Sequence, residues 1–479
     1  MSGQAGKSHS GARLRRLREE QKISQAALAR RLDLSTSYVN QLENDHRPLT
    51  IPVLMALRRE FDLAPDYFAN DTDARLVGDL SEAAGHTEFD GITQAEIEEL
   101  VARMPRVGKA MVSMHRRLVA ATGELDTYRA TVNRDEDSTP RASTPFEEVR
   151  DFFYDRKNYV HRLDMAAEEM FTRLGLRVGG LDEQLTTVLE RDHDIRVVLA
   201  DPASSSSASR KRSYDPTSRV ITLARHLRPG QRAFQLATQL AFLTQGEAID
   251  AIALGADGLS PDALPVARVG LANYFAGALV LPYTKFHAAS EALKYDVELL
   301  GLRFEVGFET VCHRLSTLQR PGQRGVPFIF VRTDRAGNIS KRQSATAFHF
   351  SRVGGSCPLW VVHDAFTTPG RIVTQVSSMP DGRSYFWLAR TTDEPMQGYL
   401  GTRSAFAIGL GCDLSHADRL VYSTGVDLHD PRRMVPIGSG CKVCDRPACP
   451  QRAFPQLGRP IVVDDNVAES APYRSPTAH

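Results

Sequence analysis

Apolar residues recur at helical spacing through the first part of the chain, at Leu14, Leu17, Ile23, Leu28, Ala29 and Leu32 and again at Leu49, Ile51, Leu54, Leu57 and Phe61. The pattern predicts a compact helical bundle over residues 12–68. Inside it, Ser24 is placed to cap a first helix whose inner side is Leu28, Ala29 and Leu32. Asp33, Leu34 and Ser35 make a turn and cap a second helix. At ~100° per residue, Tyr38, Val39 and Leu42 of that helix fall in one sector, and Thr36, Ser37, Asn40 and Gln41 in the opposite one. The first sector packs and the second can read base edges, which is the division a helix-turn-helix needs. A generic helical hairpin with a wetted polar face would show the same two sectors. The apolar recurrence on both sides favours the reader.

Further along, Thr93-Gln94-Ala95-Glu96 is a capping-box signature for a new helix. Behind it, steps of three and four repeat through Ile97, Leu100, Met104, Val107, Met111, Met114, Leu118, Ala121, Leu125 and Tyr128, a heptad seam that Pro105 and Gly108 bend or break. Such a seam serves self-association or packing on its own chain; pairing of half-sites favours the former. Residues 131–144 are polar and proline-containing and read as a linker. Thr144-Pro145 starts a helix predicted to run through Phe152, Tyr159, Leu163 and Met170 toward Gly175. Ile195–Ala200 and Arg219–Leu223 read as a hairpin around a mobile, Ser-rich loop at Ala203–Ser213. Pro229–Gln245 and Leu264–Ser290 read as helices. From Pro327 the pattern changes to strands, at Phe328–Thr333, Ile339–Phe350, Leu359–Val362, Arg371–Ser377, Tyr385–Arg390 and Ser404–Leu410.

The fold class expected is therefore multidomain, mostly α with an α+β C-terminal part. It comprises a helix-turn-helix DNA-binding domain over 8–70, a helical association segment over 92–130, a largely helical domain over 145–320 and a small mixed α+β sensory module with a Cys-rich tail over 325–460. A length of 479 residues demands several cores. The net charge of +1 gives no global attraction to nucleic acid, but between Lys7 and Asp66 11 Lys+Arg stand against 8 Asp+Glu, a local +3 suited to phosphate contacts. Base and phosphate contacts are expected from Gln25, Ser35, Thr36, Ser37, Tyr38, Asn40, Gln41 and Arg47. No signal peptide opens the chain, and the longest apolar run, Leu271–Tyr283, is shorter than the ~18 residues of a membrane span and contains Asn273 and Pro282. The expected location is cytoplasmic, with no membrane partner, and there the 6 cysteines are free thiols or metal ligands rather than disulfides.

Cys441-Lys442-Val443-Cys444 is the strongest chemical signal outside the reader, since a C-x-x-C turn places two sulfurs on one metal. Cys449 is a third candidate, and Cys412 completes four if a sheet carries it to the loop. Cys312 and Cys357 fall in segments that read as core. Zinc ribbons usually pair two C-x-x-C units, whereas one unit with a Cys-Pro and a distant cysteine leans toward an iron–sulfur cluster; reduced thiols are the alternative to both.

Ser24 to Glu43, with S-Q-x-x-L-A at its start and S-x-S-Y-V-x-Q-L-E at its end, resembles the phage-repressor-like, Xre-type helix-turn-helix. The order of hairpin and two helices, with Ala272-Asn273-Tyr274-Phe275-Ala276-Gly277-Ala278-Leu279 before Pro282, resembles the ImmA/IrrE family of zinc metallopeptidase-like domains. Where that family carries H-E-x-x-H, this chain has Thr238-Gln239-Leu240-Ala241-Phe242, and Leu271 stands where an acidic residue is expected. Without those ligands no metal-bound water can form, so no catalytic residues are expected. The tail from Gly440 to Pro455 and the segment Arg335–Ala345 are similar to the short-chain fatty acyl transcriptional regulators of actinobacteria, and with the other two resemblances this covers nearly the whole chain.

That family resemblance implies a regulator of acetate, propionate or glyoxylate-cycle genes, bound to a double-stranded DNA operator, with short-chain acyl-CoA as effector, a [4Fe-4S] cluster (zinc the alternative) and a homodimer or homotetramer. A CoA ligand needs cations for its phosphates and an apolar slot for its acyl end. Arg156, Arg303, Arg332 and Lys341 are the candidate phosphate contacts, and Tyr274 a candidate wall. Competing readings are a metallopeptidase-type regulator that cleaves a partner repressor, and a repressor whose only input is redox at the cysteines.

Overall fold

The computed structural model describes residues 10–21, 23–44, 46–47, 49–61, 71–86, 92–115, 117–118, 145–200, 210–256, 258–346, 348, 356–393, 404–444, 446, 449–455, 461 and 463. It divides into two compact units, one built on residues 1–142 and the other on 143–346 and 353–453. The parts of the expected seam at Ala121, Leu125 and Tyr128, the linker over 131–144, and most of the Ser-rich loop lie outside the described residues.

In the first unit, α1 (Ser10–Glu20), α2 (Gln25–Arg31), α3 (Thr36–Glu43) and α4 (Ile51–Phe61) close around Leu14, Leu17, Leu28, Leu32, Val39, Leu42 and Leu57. Ser24 Oγ accepts from the Ala27 amide at 3.2 Å and Ser35 Oγ from the Tyr38 amide at 3.1 Å, so both expected caps are made. Asp33, with φ of 54°, turns the chain between them. Next come α5 (Asp71–His86), α6 (Gln94–Arg103) and α7 (105–115) around Leu76, Leu80, Ile97, Val101 and Val112. The capping box forms at Thr93 and Glu96, and Met104 ends α6 immediately before Pro105, so the seam is in two pieces. Its inner end, Ile97, is buried, whereas Met104, Val107, Met111, Met114 and Leu118 are exposed.

The second unit opens with α8 (Pro145–Asp155) and α9 (His161–Arg173) rather than the one long helix expected, because Lys157 and Asn158 are both left-handed and break the run. After α10 (Leu181–His193), the strands β1 (Arg196–Ala200), β2 (Arg212–Asp215) and β3 (Val220–Ala224) form a sheet in the order β1-β3-β2. The expected hairpin is corrected here: β1 runs parallel to β3, and the true hairpin is β2–β3. Asp215 makes its turn by accepting from the Thr217 amide at 2.9 Å and the Ser218 hydroxyl at 2.6 Å.

Helices α11 (Pro229–Thr244), α12 (Gly246–Leu254), α13 (Ala263–Val280), α14 (Tyr283–Ala292), α15 (Val297–Phe304) and α16 (Phe308–Leu315) follow. The helix expected over Leu264–Ser290 is split into α13 and α14 because Pro282 has no amide to donate. By length and composition α13 could cross a membrane, contrary to the expectation from its apolar runs, but 56% of it is buried inside the unit, where it is the central core helix.

The remaining strands are β4 (Ile329–Thr333), β5 (Ile339–Ser344), β6 (Val373–Ser378), β7 (Ser384–Asp393), β8 (Ala405–Asp413) and β9 (Val435–Pro436), in a sheet ordered β5-β4-β8-β7-β6-β9. The strand expected at Leu359–Val362 is instead the entry to a short helix, α17 (Val361–Asp364). A brief apolar run does not distinguish the two, and here Gln375 of β6 grips it, accepting from the Val361 amide at 3.3 Å and donating to the Leu359 carbonyl at 2.9 Å. Phe330, Val376, Phe386, Leu388, Ile408, Leu410 and Cys412 of the sheet belong to the same buried core as α8–α16. The larger sheet and the helices before it therefore share one hydrophobic interior.

Candidate functional sites

The polar side of α3 presents Ser35, Thr36, Ser37 and Asn40 to solvent, with Tyr38 and Gln41 half-buried and Arg47 exposed just beyond. The Arg47 guanidinium lies 5.7 Å from the Tyr38 ring centroid, a cation–π contact that holds it beside the helix. Asn40 Oδ1 accepts from Asn44 at 2.9 Å, leaving the Asn40 amide hydrogens to face outward. Gln25 donates its side-chain amide to Glu43 at 2.7 Å, so it is anchored within the bundle. Sequence reasoning missed the anchor: Glu43 is buried, and Arg18 binds both its oxygens at 2.6 and 3.1 Å. The clue was position, since Glu43 follows Leu42 on the inward side of α3.

A cavity of about 1650 Å³ opens within the second unit. One wall is α11, through Phe234, Gln235, Thr238 and Phe242; another is α13, through Gly270, Asn273, Tyr274 and Gly277. Arg332, Lys341, Gln343 and Arg390 from β4, β5 and β7 close one side, and Lys211, Arg212 and Arg228 stand on another. The small residues on α13 keep the space open: a Cβ at Gly270 would come within 2.9 Å of the Phe153 ring.

Of the positions that hold zinc in metallopeptidase-like domains, those of Thr238 and Phe242 line this space but offer no ligand. Thr238 donates to the Phe234 carbonyl at 2.8 Å and to Asn273 Oδ1 at 3.3 Å. The Phe242 ring is flanked by Arg212 and Arg268 at 5.7 and 5.6 Å, and Leu271 is fully buried.

Behind the cavity wall, Tyr274 donates to Asp164 at 2.7 Å, and Arg314 grips the same carboxylate at 2.8 and 3.2 Å. Burial would raise the Asp164 carboxyl, but Arg314 first and then Tyr274 and Arg320 outweigh it and hold it below the usual carboxylate range. Burial likewise opposes the charge on Glu309. Lys341 at 2.8 Å and Arg332 at 3.3 Å overcome that, so Glu309 stays ionised between them.

Arg212 is different in kind. It donates to the Gln235 carbonyl at 2.8 Å, burial depresses its pKa, and among the described residues no carboxylate pairs with it. A desolvated guanidinium without a counter-charge, facing a cavity, is a ready partner for an anion. Lys211, Arg212 and Arg228 were not among the expected contacts: the first two fall at the basic end of the Ser-rich stretch, which reads as loop, and Arg228 stands just before the helix that begins at Pro229.

Of the expected contacts, Tyr274, Arg332 and Lys341 line the cavity. Arg156 does not: its guanidinium is stacked 3.9 Å above the Phe152 ring and donates to the Phe152 carbonyl at 3.1 Å. Arg303 does not either, because one residue beyond Leu302 the helix turns its side chain outward to solvent.

The cysteines are also redistributed. Cys441, Cys444 and Cys449 line a small cavity, and the fourth cysteine there is Cys357, not Cys412. On β8 the pleat directs Cys412 to the same side as Ile408 and Leu410, into the helical core. Among the described residues, no three His, Cys, Asp or Glu side chains already stand in a metal-holding arrangement.

A helix-turn-helix with its reading face exposed, on one chain with a cation-lined internal cavity, defines the class as a DNA-binding transcriptional regulator. Three family descriptions match successive parts of the chain: helix-turn-helix over 14–68, IrrE N-terminal-like domain over 190–316, and short-chain fatty acyl coenzyme A regulator, C-terminal, over 317–473. The chain is 61% identical over 467 residues to the HTH-type transcriptional regulator PrpR of Mycobacterium tuberculosis, covering 97% of this chain and 96% of that one. It is 47% identical over 472 residues to RamB of the same organism, covering 98% of each. It is 40% identical over 471 residues to the propionyl-CoA carboxylase regulator of Cereibacter sphaeroides, covering 98% of this chain and 99% of that one. A solved structure of a Mycobacterium tuberculosis transcriptional regulator shares 64% identity with a TM-score of 0.66, covering 69% of this chain and 99% of that chain. The chain belongs to the short-chain fatty acyl-CoA regulator family of helix-turn-helix transcriptional regulators.

One titration follows from the cavity. Burial, with the nearby Lys341 charge adding to it, pushes His313 down from 6.5 to about 4, and its Nε2 meets the Gln343 amide at 3.0 Å. Its folded pKa lies below the unfolded value, so acid loads protons onto the unfolded chain first, and stability present above pH 6.5 is lost as pH falls toward 4. Chemical denaturation should show a loss of about 2 kcal/mol from this group between pH 7 and pH 5. A His313→Gln variant should show a correspondingly shallower pH dependence.

Proposed function

We propose that this protein is a cytoplasmic, non-catalytic regulator that binds its operator through α3 and a short-chain acyl-CoA in the cavity of its second unit, and so controls genes of propionate or acetate metabolism. The observation that carries the ligand reading is Arg212, desolvated on the wall of a cavity larger than the ~300–1,000 Å³ of ordinary small-molecule sites. Acyl-CoA combines phosphates, an extended polar arm and a short apolar end. Lys211, Arg212 and Arg228 suit the first, and the α11–α13 wall with Phe234 and Gly277 suits the last. The names of the relatives, a propionyl-CoA carboxylase regulator among them, favour the same ligand class. The metallopeptidase alternative has no support in the sequence, where Thr238, Gln239 and Phe242 replace the ligand and base positions.

The exposed row Met104, Val107, Met111, Met114 and Leu118 supports pairing of two copies into a homodimer, or two dimers into a tetramer. Charged replacement of Met111 and Leu118 together should shift the sedimentation coefficient toward that of the monomer. An unchanged coefficient would place the interface elsewhere.

Titration calorimetry of the full-length protein should give heat with acetyl-, propionyl- or butyryl-CoA. Arg212→Ala should weaken binding by about 1.5–3 kcal/mol, the range of a charge-assisted hydrogen bond. No heat with any of the three removes the effector reading. In operator gel shifts, Asn40→Ala should cost about 1–3 kcal/mol and relax base preference, whereas Arg15→Ala, which removes an exposed cation of α1, should weaken all sequences alike.

A further inference from the structure

We infer that α8 is the output lever of the second unit: the occupant of the large cavity moves it through Phe153, and α8 passes the displacement to the chain that leads back to the DNA reader. The inference rests on the ligand reading of the cavity and goes beyond it. An effector shifts DNA affinity only through an element that differs between the empty and the filled state.

Position singles out this helix. It begins at Pro145, so it is the first element of the second unit, and residues 131–144 join it to the part of the chain that holds the reader. It also borders two walls of the cavity. The Phe153 ring belongs to the lining and rests on α13 at Gly270, where a Cβ would come within 2.9 Å of it. Val149, one turn earlier, lies 3.8 Å from the same point. The Tyr154 hydroxyl donates to the Thr346 carbonyl at 3.0 Å, just past the end of β5, the strand that lines the cavity with Lys341 and Gln343. A ligand pressed against Phe153 therefore pushes on the ring that seats α8. Near the other end of the helix, Glu148 accepts from the Ser260 amide at 2.7 Å.

The joint between α8 and α9 can take up the movement. Lys157 and Asn158 are consecutive left-handed residues, with φ of 50° and 56°, and neither is glycine, so the joint stores strain. Asn158 is 1% exposed, and among the described residues neither polar atom of its side-chain amide has a hydrogen-bond partner. A buried amide in that state gains from a rearrangement that supplies one. The two helices flanking the joint are held differently. On α9, Asp164 is gripped by Arg314, and Glu168 by Arg320 and the Thr284 amide, at 2.8, 2.9 and 2.8 Å. On α8, the contact with the core is an aromatic ring against a glycine. Displacement at the cavity is thus taken up by α8 while α9 stays in place.

The test uses full-length protein, its operator duplex and propionyl-CoA. Hydrogen-exchange mass spectrometry of wild type should show saturating ligand changing the protection of α8 amides and leaving those of α9 as they were. In gel shifts the ligand should change wild-type operator affinity by about fivefold or more. Glu148 and Tyr154 lie outside the cavity lining. Glu148→Ala and Tyr154→Phe should each bring the ligand-free operator affinity toward the liganded wild-type value and shrink the response to ligand. Glu148→Gln keeps the acceptor and should behave as wild type. By calorimetry both loosened variants should bind propionyl-CoA as tightly as wild type or more tightly, because the state that the ligand favours is already populated; a damaged fold would bind it more weakly. No heat from wild type overturns this inference and the ligand reading together. Heat from wild type with α8 protection unchanged, operator affinity indifferent to ligand, or loosened variants that respond as wild type or bind the ligand more weakly overturns the α8 assignment alone.

Discussion

The second unit is held together at Asp164. Its carboxylate is completely buried on α9, and three side chains from distant parts of the chain converge on it: Tyr274 from α13, Arg314 from α16, and Arg320, which also reaches Glu168 at 2.9 Å. Arg314 also donates to the Leu281 carbonyl at 3.0 Å, satisfying the end of α13 that Pro282 leaves open. A buried pair of this kind need not stabilise relative to an apolar substitute, yet losing one partner strands a charge and costs about 3–5 kcal/mol. What it specifies is geometry. Tyr274 and Arg314 both border the large cavity, so the wall of that cavity is fixed by the same contact that fixes the helices.

Much of this was legible in the sequence where local physics decides. The caps at Ser24, Ser35 and Thr93 formed as their side chains require, and the inward sector of α3 packed as its periodicity required. The loss of the metallopeptidase ligands could be read directly from Thr238 to Phe242. Where the sequence misled, long-range contacts had taken over. Gln375 on β6 captures the backbone of a run that reads as strand, and β1 pairs with β3 in parallel rather than as a hairpin, because β2 takes the antiparallel place beside β3.

The site residues show the same division. Asn40 and Gln41 follow from a helical wheel, but Arg212, Lys211 and Arg228 become cavity cations only because β2 and the start of α11 meet there. Arg156 and Arg303 were chosen by charge alone, and charge does not say whether a guanidinium faces a cavity, an aromatic ring or water. Cys357 and Cys412 exchanged places for a reason no spacing contains: strand parity turned one inward, and the chain's return across α17 brought the other to the tail.

The common interior of the helices and the large sheet has a consequence for how such a chain can change over time. Phe330, Phe386, Leu388 and Ile408 of the sheet fill the same core as Leu271, Phe275 and Phe286 of the helices. A helical domain with its own core could have been trimmed or exchanged like a detachable cassette. Here it cannot be, because removing the sheet would unroof the helices. The IrrE-like helices and the C-terminal sheet are one inheritance, and they can only drift together.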